Sequence, residues 1–332
     1  MRPQHVSSRP SRRPGLAAAF GLSCAALALA GPVTAAMAQM APYPAPMRDP
    51  APQPSPPPQT GPRTLDIILI DVPGGEFLMG NPLGAADEPT YWTRVGPFRI
   101  MRNEVSNREF GAFIETTGRV TDPERMGGGY AFVDGNWVFV QGASWRTPHG
   151  PGSTVERLAD HPVVQVSQSD AEAYCRWAGL RLPREQEWEF AARGTDGRKY
   201  PWGNEPPLLA GQPIRANIGQ PACCAPSTAD GYLYTWPTGV FSAGASPFGA
   251  LDMAGNVWEW TATPFEGQTG RVVMRGGGWA SDPDGVRVTI RHANPTDIGL
   301  DMVGFRCTGD APNQGGRTLF RPTAPPAQQQ RR

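Results

Sequence analysis

From residue 195 to 309 the sequence carries no helical periodicity, only turns, tryptophans and short apolar runs. A stretch this long without helix signals must draw its order from short strands and from loops with fixed turn chemistry. Glycine and proline supply that chemistry, 40 and 38 of 332 residues respectively. Their combined share, about 23%, approaches the level at which low-complexity sequence is suspected. The average hides two kinds of segment, because hydrophobic residues still make up 39% of the chain and suffice for a folded core.

The helices that the sequence predicts all precede residue 195. Ser106-Asn107-Arg108-Glu109 is a capping box followed by Phe110, Phe113 and Ile114 at helical spacing, so a helix starts there. Ser169 is expected to cap a second helix that runs to about Ala178 and is closed by Gly179. Pro183 opens a third, Glu185 to Arg193, closed by Gly194. Leu65 to Asp71 and Glu76 to Met79 read as strands around the turn Pro73-Gly74-Gly75. Tyr130 to Val133 and Trp137 to Val140 flank Asp134-Gly135-Asn136, a hairpin signal. Val286, Val288 and Ile290 alternate with Arg287, Thr289 and Arg291 as a strand would.

The ends have a different character. Arg2, Arg9, Arg12 and Arg13 precede an apolar stretch from Leu16 to Ala30, and Ala36-Met37-Ala38 offers a small-x-small cleavage site, so residues 1–38 read as an export signal. Ser11-Arg12-Arg13 resembles the twin-arginine type, although Pro14 and Gly15 fit that pattern poorly. A periplasmic or secreted protein is expected. Residues 39–63 are a Pro-rich extended spacer, residues 64–309 one domain, and residues 310–332 a disordered tail. No later apolar run is long enough to span a membrane. Removing residues 1–38 loses four arginines and no acid from a chain balanced at 30 basic and 30 acidic residues, leaving a net charge of −4. No basic stripe remains to neutralise phosphates, which excludes a nucleic-acid partner.

Several familiar chemistries are absent. Only His149, His161 and His292 remain after signal removal, and no two have zinc-ligand spacing. No Gly-rich loop opens a helix after a strand, and no Gly-x-Ser-x-Gly elbow exists. The mature chain has four cysteines, Cys175, Cys223, Cys224 and Cys307, which allow three pairings. Cys175 with Cys307 would close a long loop; adjacent Cys223 and Cys224 form either a strained, reducible ring or a pair of free thiols. Oxygen-rich loops stand out: Asn217-Ile218, Asp230 with Tyr232, and Asp252, Gly255, Val257 and Glu259. Calcium takes about six to eight hard oxygen ligands and tolerates irregular loops, so these are candidate calcium sites, against a plain reading as solvated acidic loops.

A set of ordered motifs then becomes identifiable. Gly74-Gly75-Glu76-Phe77-Leu78-Met79-Gly80, Glu104 through Phe110, and His161-Pro162-Val163 through Cys175-Arg176-Trp177-Ala178-Gly179 to Glu187-Trp188-Glu189 resemble the formylglycine-generating enzyme, or sulfatase-modifying factor, family. Tyr200-Pro201-Trp202-Gly203-Asn204, Gly255-Asn256-Val257-Trp258-Glu259-Trp260, Arg275-Gly276-Gly277 and Gly304-Phe305-Arg306-Cys307 continue the resemblance, over about residues 68–308. It implies an α+β, C-type-lectin-like single domain with little regular secondary structure, stabilised by calcium. The first calcium site would fall on Asn217, Ile218, Asp230 and Tyr232, the second on Asp252, Gly255, Val257 and Glu259, with backbone oxygens from Ile218, Tyr232, Gly255 and Val257. The family's bridge maps onto Cys175 and Cys307. A second bridge found in some relatives falls on Ala192 and Val288, an apolar pair able to pack together.

The departure from the family is as informative. Its oxidases use two closely spaced cysteine thiolates that bind copper just after the Gly-Gly-Ser-Tyr/Trp segment. Here that segment runs from Gly276 to Arg287 without a cysteine, and Ser281 sits near the first position. A serine hydroxyl is no substitute for a soft thiolate ligand of copper(I), so copper-dithiol oxidation is not expected. Three readings follow: a periplasmic maturation or modification factor for a peptide or protein substrate, akin to the family's pyoverdine-maturation members; a non-catalytic binding module; and a genuine formylglycine generator using Cys223 and Cys224. The first predicts a cleft where Trp145 and Arg146 approach Trp279, Ser281, Asp282 and Arg291, against the plain reading of Trp145 and Trp279 as core or rim aromatics. A monomer is expected.

Overall fold

The computed structural model describes residues 67–84, 88–220 and 225–311. The signal, the spacer, nearly all of the tail and the pair Cys223-Cys224 lie outside these residues. Strand β1 (Leu69–Val72) pairs antiparallel with β4 (Phe98–Met101), which also takes β11 (Thr308–Asp310) on its other edge. Strands β2 (Gly75–Met79) and β3 (Tyr91–Val95) form a two-stranded sheet of their own. The turn at Pro73-Gly74-Gly75 therefore separates two sheets and does not close a hairpin. Gly74 (φ 72) is needed there because an added Cβ would lie 2.4 Å from the Val95 carbonyl oxygen.

Helix α1 (Asn107–Thr117) begins at Ser106 with the expected capping box, the Glu109 carboxylate accepting the Ser106 N–H at 2.8 Å. A short helix α2 (Asp122–Met126), with no clear sequence signal beyond Thr121 and Pro123, leads into β5 (Gly128–Val133) and β6 (Asn136–Gln141). Asp134 (φ 47) and Gly135 (φ 79) both adopt left-handed conformations, as a two-residue hairpin of this hand requires. Helix α3 (Gln168–Trp177) starts two residues before the predicted position. Ser167 is the cap: its hydroxyl accepts the Asp170 N–H at 3.0 Å while Asp170 returns the favour at 3.2 Å, so the Ser-x-x-Asp box outcompetes Ser169. Helix α4 (Glu185–Arg193) has the predicted bounds and ends at Gly194.

The remaining sheet has the order β10 (Val303–Gly304), β7 (Trp258–Pro264), β8 (Arg271–Arg275), β9 (Arg291–Pro295). The strand expected over residues 286–290 is absent. Those residues form turns, with the Ile290 N–H donating to Arg287 O at 3.0 Å. Val286 and Val288 are buried in different clusters, and the carbonyls of Val288 and Thr289 are claimed by the Arg275 guanidinium at 2.7 and 3.0 Å. Ala192 and Val288 share one core cluster, as the apolar pairing of those positions implies. Cys175 and Cys307 form a disulfide with a Cα–Cα distance of 5.6 Å, closing a separation of 132 residues. Among the described residues no helix is long and apolar enough to cross a membrane.

Helix α4 is fastened to the strands by buried charge. Arg291 pairs with Glu185 at 2.7 Å, Arg275 pairs with both Glu185 (3.3 Å) and Glu189, and Arg193 meets Glu189 at 2.9 Å. Glu259 of β7 accepts from Arg306 at 2.7 Å and from the Trp188 indole at 2.9 Å. Removing one partner of such a pair strands a charge away from water. Arg275→Met should therefore cost about 3–5 kcal/mol of stability, read as a lower urea midpoint with an unchanged slope; an unmoved midpoint would mean that the network is energetically idle.

Candidate functional site

The Arg275 side chain anchors the end of β8, and the chain then turns through Gly276 (φ 99) and Gly277 (φ 74). A Cβ on Gly278 would lie 2.3 Å from the Met302 side chain, so only glycine lets the turn come this close. Trp279 is thereby driven into the interior. Its indole N–H donates to the Asp301 carbonyl at 3.3 Å, and its ring meets Tyr234 edge-on at 5.0 Å and Phe132 at 6.3 Å. Trp258 and Met302 complete this aromatic cluster.

Ser281 and Asp282 share the turn but are occupied in holding it. Ser281 Oγ accepts the Gly278 N–H at 3.0 Å, its carbonyl accepts the Gly219 N–H at 2.8 Å, and Asp282 accepts the Gly285 N–H at 2.6 Å. The other expected cleft residues do not join them. Trp145 is buried in the larger core cluster, 5.5 Å from the Phe110 ring, which is the plain core reading. Arg146 lies over the Trp145 ring at 4.2 Å and pairs with Glu124 at 2.8 Å. Arg291 is buried between Glu185 and Glu266, and borders an open groove of about 310 Å³ with Phe265, Gln268, Arg271 and His292. Trp279, Ser281 and Asp282 thus share one turn, while Trp145 lies in the core, Arg146 at the surface over it and Arg291 at the groove.

The loops that carry the two candidate calcium sets meet at Asn217 and Gly255. Asn217 O accepts the Asn256 N–H at 2.8 Å, and the Asn217 amide donates to Asn256 Oδ1 at 3.1 Å. Gly255 (φ 80) presses against Asn217, where a Cβ would lie 2.2 Å from the carbonyl oxygen. Asp252 (φ 57) and Asn256 (φ 61) are non-glycine residues in left-handed conformations within one five-residue loop, a concentration that marks a specialised turn. In the first set, Asp230 accepts the Ile218 and Tyr232 N–H groups at 3.1 Å each, and burial pushes its carboxyl up to about 6. Among the described residues no cationic side chain pairs with it. One carboxylate, one amide and two carbonyls fit a hard cation.

The second set fits in part. Asp252, pushed up to about 6 by burial, accepts the Gly239 N–H at 2.6 Å. Both Glu259 oxygens already accept from Arg306 and Trp188, which leaves Asp252 and the carbonyls of Gly255 and Val257 as the less committed donors. Sequence reasoning also missed Glu104, which accepts from Asn256 at 2.6 Å and from the Val257 N–H at 3.3 Å. Burial, then the charges of Asp252 and Glu259, hold its carboxyl well above the usual range. No spacing rule links Glu104 to a loop 150 residues later. Among the described residues no three His, Cys, Asp or Glu side chains converge into a metal cage, so any cation here would rely on backbone and amide oxygens as well.

Residues 53–311 match the Sulfatase-modifying factor enzyme 1-like domain. A formylglycine-generating enzyme from Streptomyces coelicolor is 40% identical, over 73% of this chain and 89% of its own. The inactive C-alpha-formylglycine-generating enzyme 2 of Mus musculus is 39% identical, over 74% of this chain and 87% of its own. Among solved structures, PvdO from Pseudomonas aeruginosa superposes with a TM-score of 0.56 at 25% identity, covering 73% of this chain and 94% of that one.

Proposed function

Because the chain belongs to the formylglycine-generating enzyme, or sulfatase-modifying factor, family, we propose that it is an exported factor for the maturation or modification of a peptide or protein, acting at the Trp279 face without copper-dithiol oxidation. One observation carries this reading. The segment from Gly276 to Arg287 holds no cysteine, and the Ser281 hydroxyl is committed to the Gly278 N–H. Soft thiolates are what copper(I) selects, and a hydroxyl at high pKa offers neither softness nor charge. Export is supported by the arginine-then-apolar leader and by the Cys175–Cys307 bridge, which suits an oxidising compartment.

The alternative is a non-catalytic binding module on the same C-type-lectin-like scaffold. It is favoured by the 39% identity to a mouse relative named as inactive. Fold alone does not choose, since one scaffold hosts both uses. A peptide carrying Cys-x-Pro-x-Arg, incubated with the purified chain, copper and oxygen, should keep its mass; loss of mass at its cysteine would establish a formylglycine generator. Product formation from any other peptide supports the maturation factor, and saturable binding without product supports the module.

Calcium is part of the proposal. Asn217, Asp230 and the carbonyls of Ile218 and Tyr232 would hold one ion, and Asp252 with the carbonyls of Gly255 and Val257 the core of a second. The ions would brace the loops beneath Tyr234 and Trp258, a structural role. At a hundred times its dissociation constant, one bound ion stabilises the fold by about 2.7 kcal/mol. For a domain of this size that raises Tm by about 5–10 °C. Melting in calcium and in chelator should differ by that amount, with the difference shrinking in Asp230→Asn; identical curves would remove calcium from the account.

A further inference from the structure

The turn from Ala143 to Ser153 sets a histidine against a buried aspartate that none of the family motifs quoted above contains. His149 Nδ1 lies 3.2 Å from Asp301 Oδ2, with the aspartate side chain 1% exposed and the histidine 22%. Asp301 is fixed from several directions. Its two oxygens accept the Phe132 N–H at 3.2 and 3.1 Å, its own N–H donates to Tyr130 O at 3.0 Å, and its carbonyl accepts the Trp279 indole. Burial raises the Asp301 carboxyl, and the neighbouring His149 ring offsets part of that rise.

The histidine is held just as firmly. Its backbone N–H donates to Ser153 Oγ at 3.1 Å, and its ring lies 4.3 Å from that of Tyr234, which itself packs on Trp279. The preceding carbonyl, Pro148 O, accepts from Gln165 Nε2 at 2.8 Å, and the same amide reaches Tyr130 O at 3.0 Å. Gln165 is fully buried and has φ 55. A non-glycine residue in that conformation persists only where its surroundings over-determine it, and such residues concentrate at working sites. Here the strained residue ties the His149 turn to β5, whose Tyr130 carbonyl also accepts the Asp301 N–H.

A carboxylate only accepts hydrogen bonds, so an imidazole whose Nδ1 lies 3.2 Å from it is favoured with its proton on Nδ1 and with Nε2 as the acceptor. Among the described residues Nε2 makes no hydrogen bond. We propose that His149, oriented by Asp301, is a proton-transfer residue at the edge of the Trp279 cluster, serving a peptide-like substrate that presents an N–H, O–H or S–H group to Nε2. The X–H bond breaks with its electron pair left on X, the proton passes to Nε2, and Asp301 balances the imidazolium charge until the proton returns. No electron changes hands, which suits a site without thiolates. Asp301 is the positioning residue. The proposal rests on the reading of this face as a site for a peptide-like substrate.

Two measurements on the full chain test it, neither needing a substrate. Long-range proton–nitrogen NMR of the neutral ring should show His149 as the Nδ1–H tautomer with a pyridine-type Nε2, and Asp301→Asn should shift it toward Nε2–H. Diethyl pyrocarbonate, which acylates a bare ring nitrogen, should modify His149 about tenfold or more faster than His161 or His292 by peptide mass mapping, an advantage that Asp301→Asn removes. An Nε2–H tautomer in the unmodified chain, or a His149 rate no higher than the other two, overturns the proposal. The tautomer is read on the unmodified chain, so the test stands even where Asp301→Asn does not fold. A bare, reactive Nε2 with no product from any peptide supports His149 as a proton acceptor oriented by Asp301 and overturns the peptide-like substrate, together with the peptide-modification reading.

Discussion

Buried charge pairing between α4 and the strands that follow is the constraint on which the rest of the structure depends. Three arginines that belong to the helix-poor half of the chain, Arg275, Arg291 and Arg306, are all buried, and each finds a glutamate. Two of those glutamates, Glu185 and Glu189, lie one helical turn apart on α4. The third, Glu259, is tied to α4 through the Trp188 indole. Taking these ions out of water is costly, and their mutual attraction offsets that only in a fixed geometry. Strands as short as β8 and β9 gain little order from their own ladders, so the ion pairs set where they end and where the following turn begins.

That placement reaches the candidate site directly. Arg275 fixes the end of β8, and the glycines after it carry the chain close enough to Met302 for Trp279 to enter the interior. Trp279 then supports Tyr234 and donates its indole N–H to the carbonyl of the Asp301 turn, which puts His149 beside the same cluster. The Asn217 and Asp252 loops are joined through Asn256, whose side chain also receives the Trp236 N–H at 2.8 Å. Irregular backbone in this half is thus not loose: its polar groups are satisfied by buried side chains where a regular sheet would use ladder bonds.

Local signals in the sequence carried the helices well. Ser106 with Glu109 marked α1, and Pro183 with Gly194 bounded α4, because caps depend on residues three or four positions apart. The error at α3 was also local, a choice between Ser167 and Ser169 decided by Asp170. Alternation misled over residues 286–290, where Arg275 takes the carbonyls that a strand would have used. Motif order identified the family and the bridge between Cys175 and Cys307. The grouping of cleft residues was not legible: Trp145 and Arg291 are drawn into the core and into an ion pair by partners far away in sequence. Glu104 and the His149–Asp301 pair have the same cause, since contacts across 150 residues leave no periodic trace.

The central claim is that this scaffold keeps its ion-paired frame and its Trp279 turn while lacking the sulfur chemistry of the family's oxidases. Cuprous ion competition against a chromophoric chelator, with sulfur coordination read by X-ray absorption, tests it most directly. Run on the chain with Cys223→Ser and Cys224→Ser, the account predicts no stoichiometric two-sulfur copper site. A one-to-one cuprous complex with two sulfur ligands in that variant would contradict it.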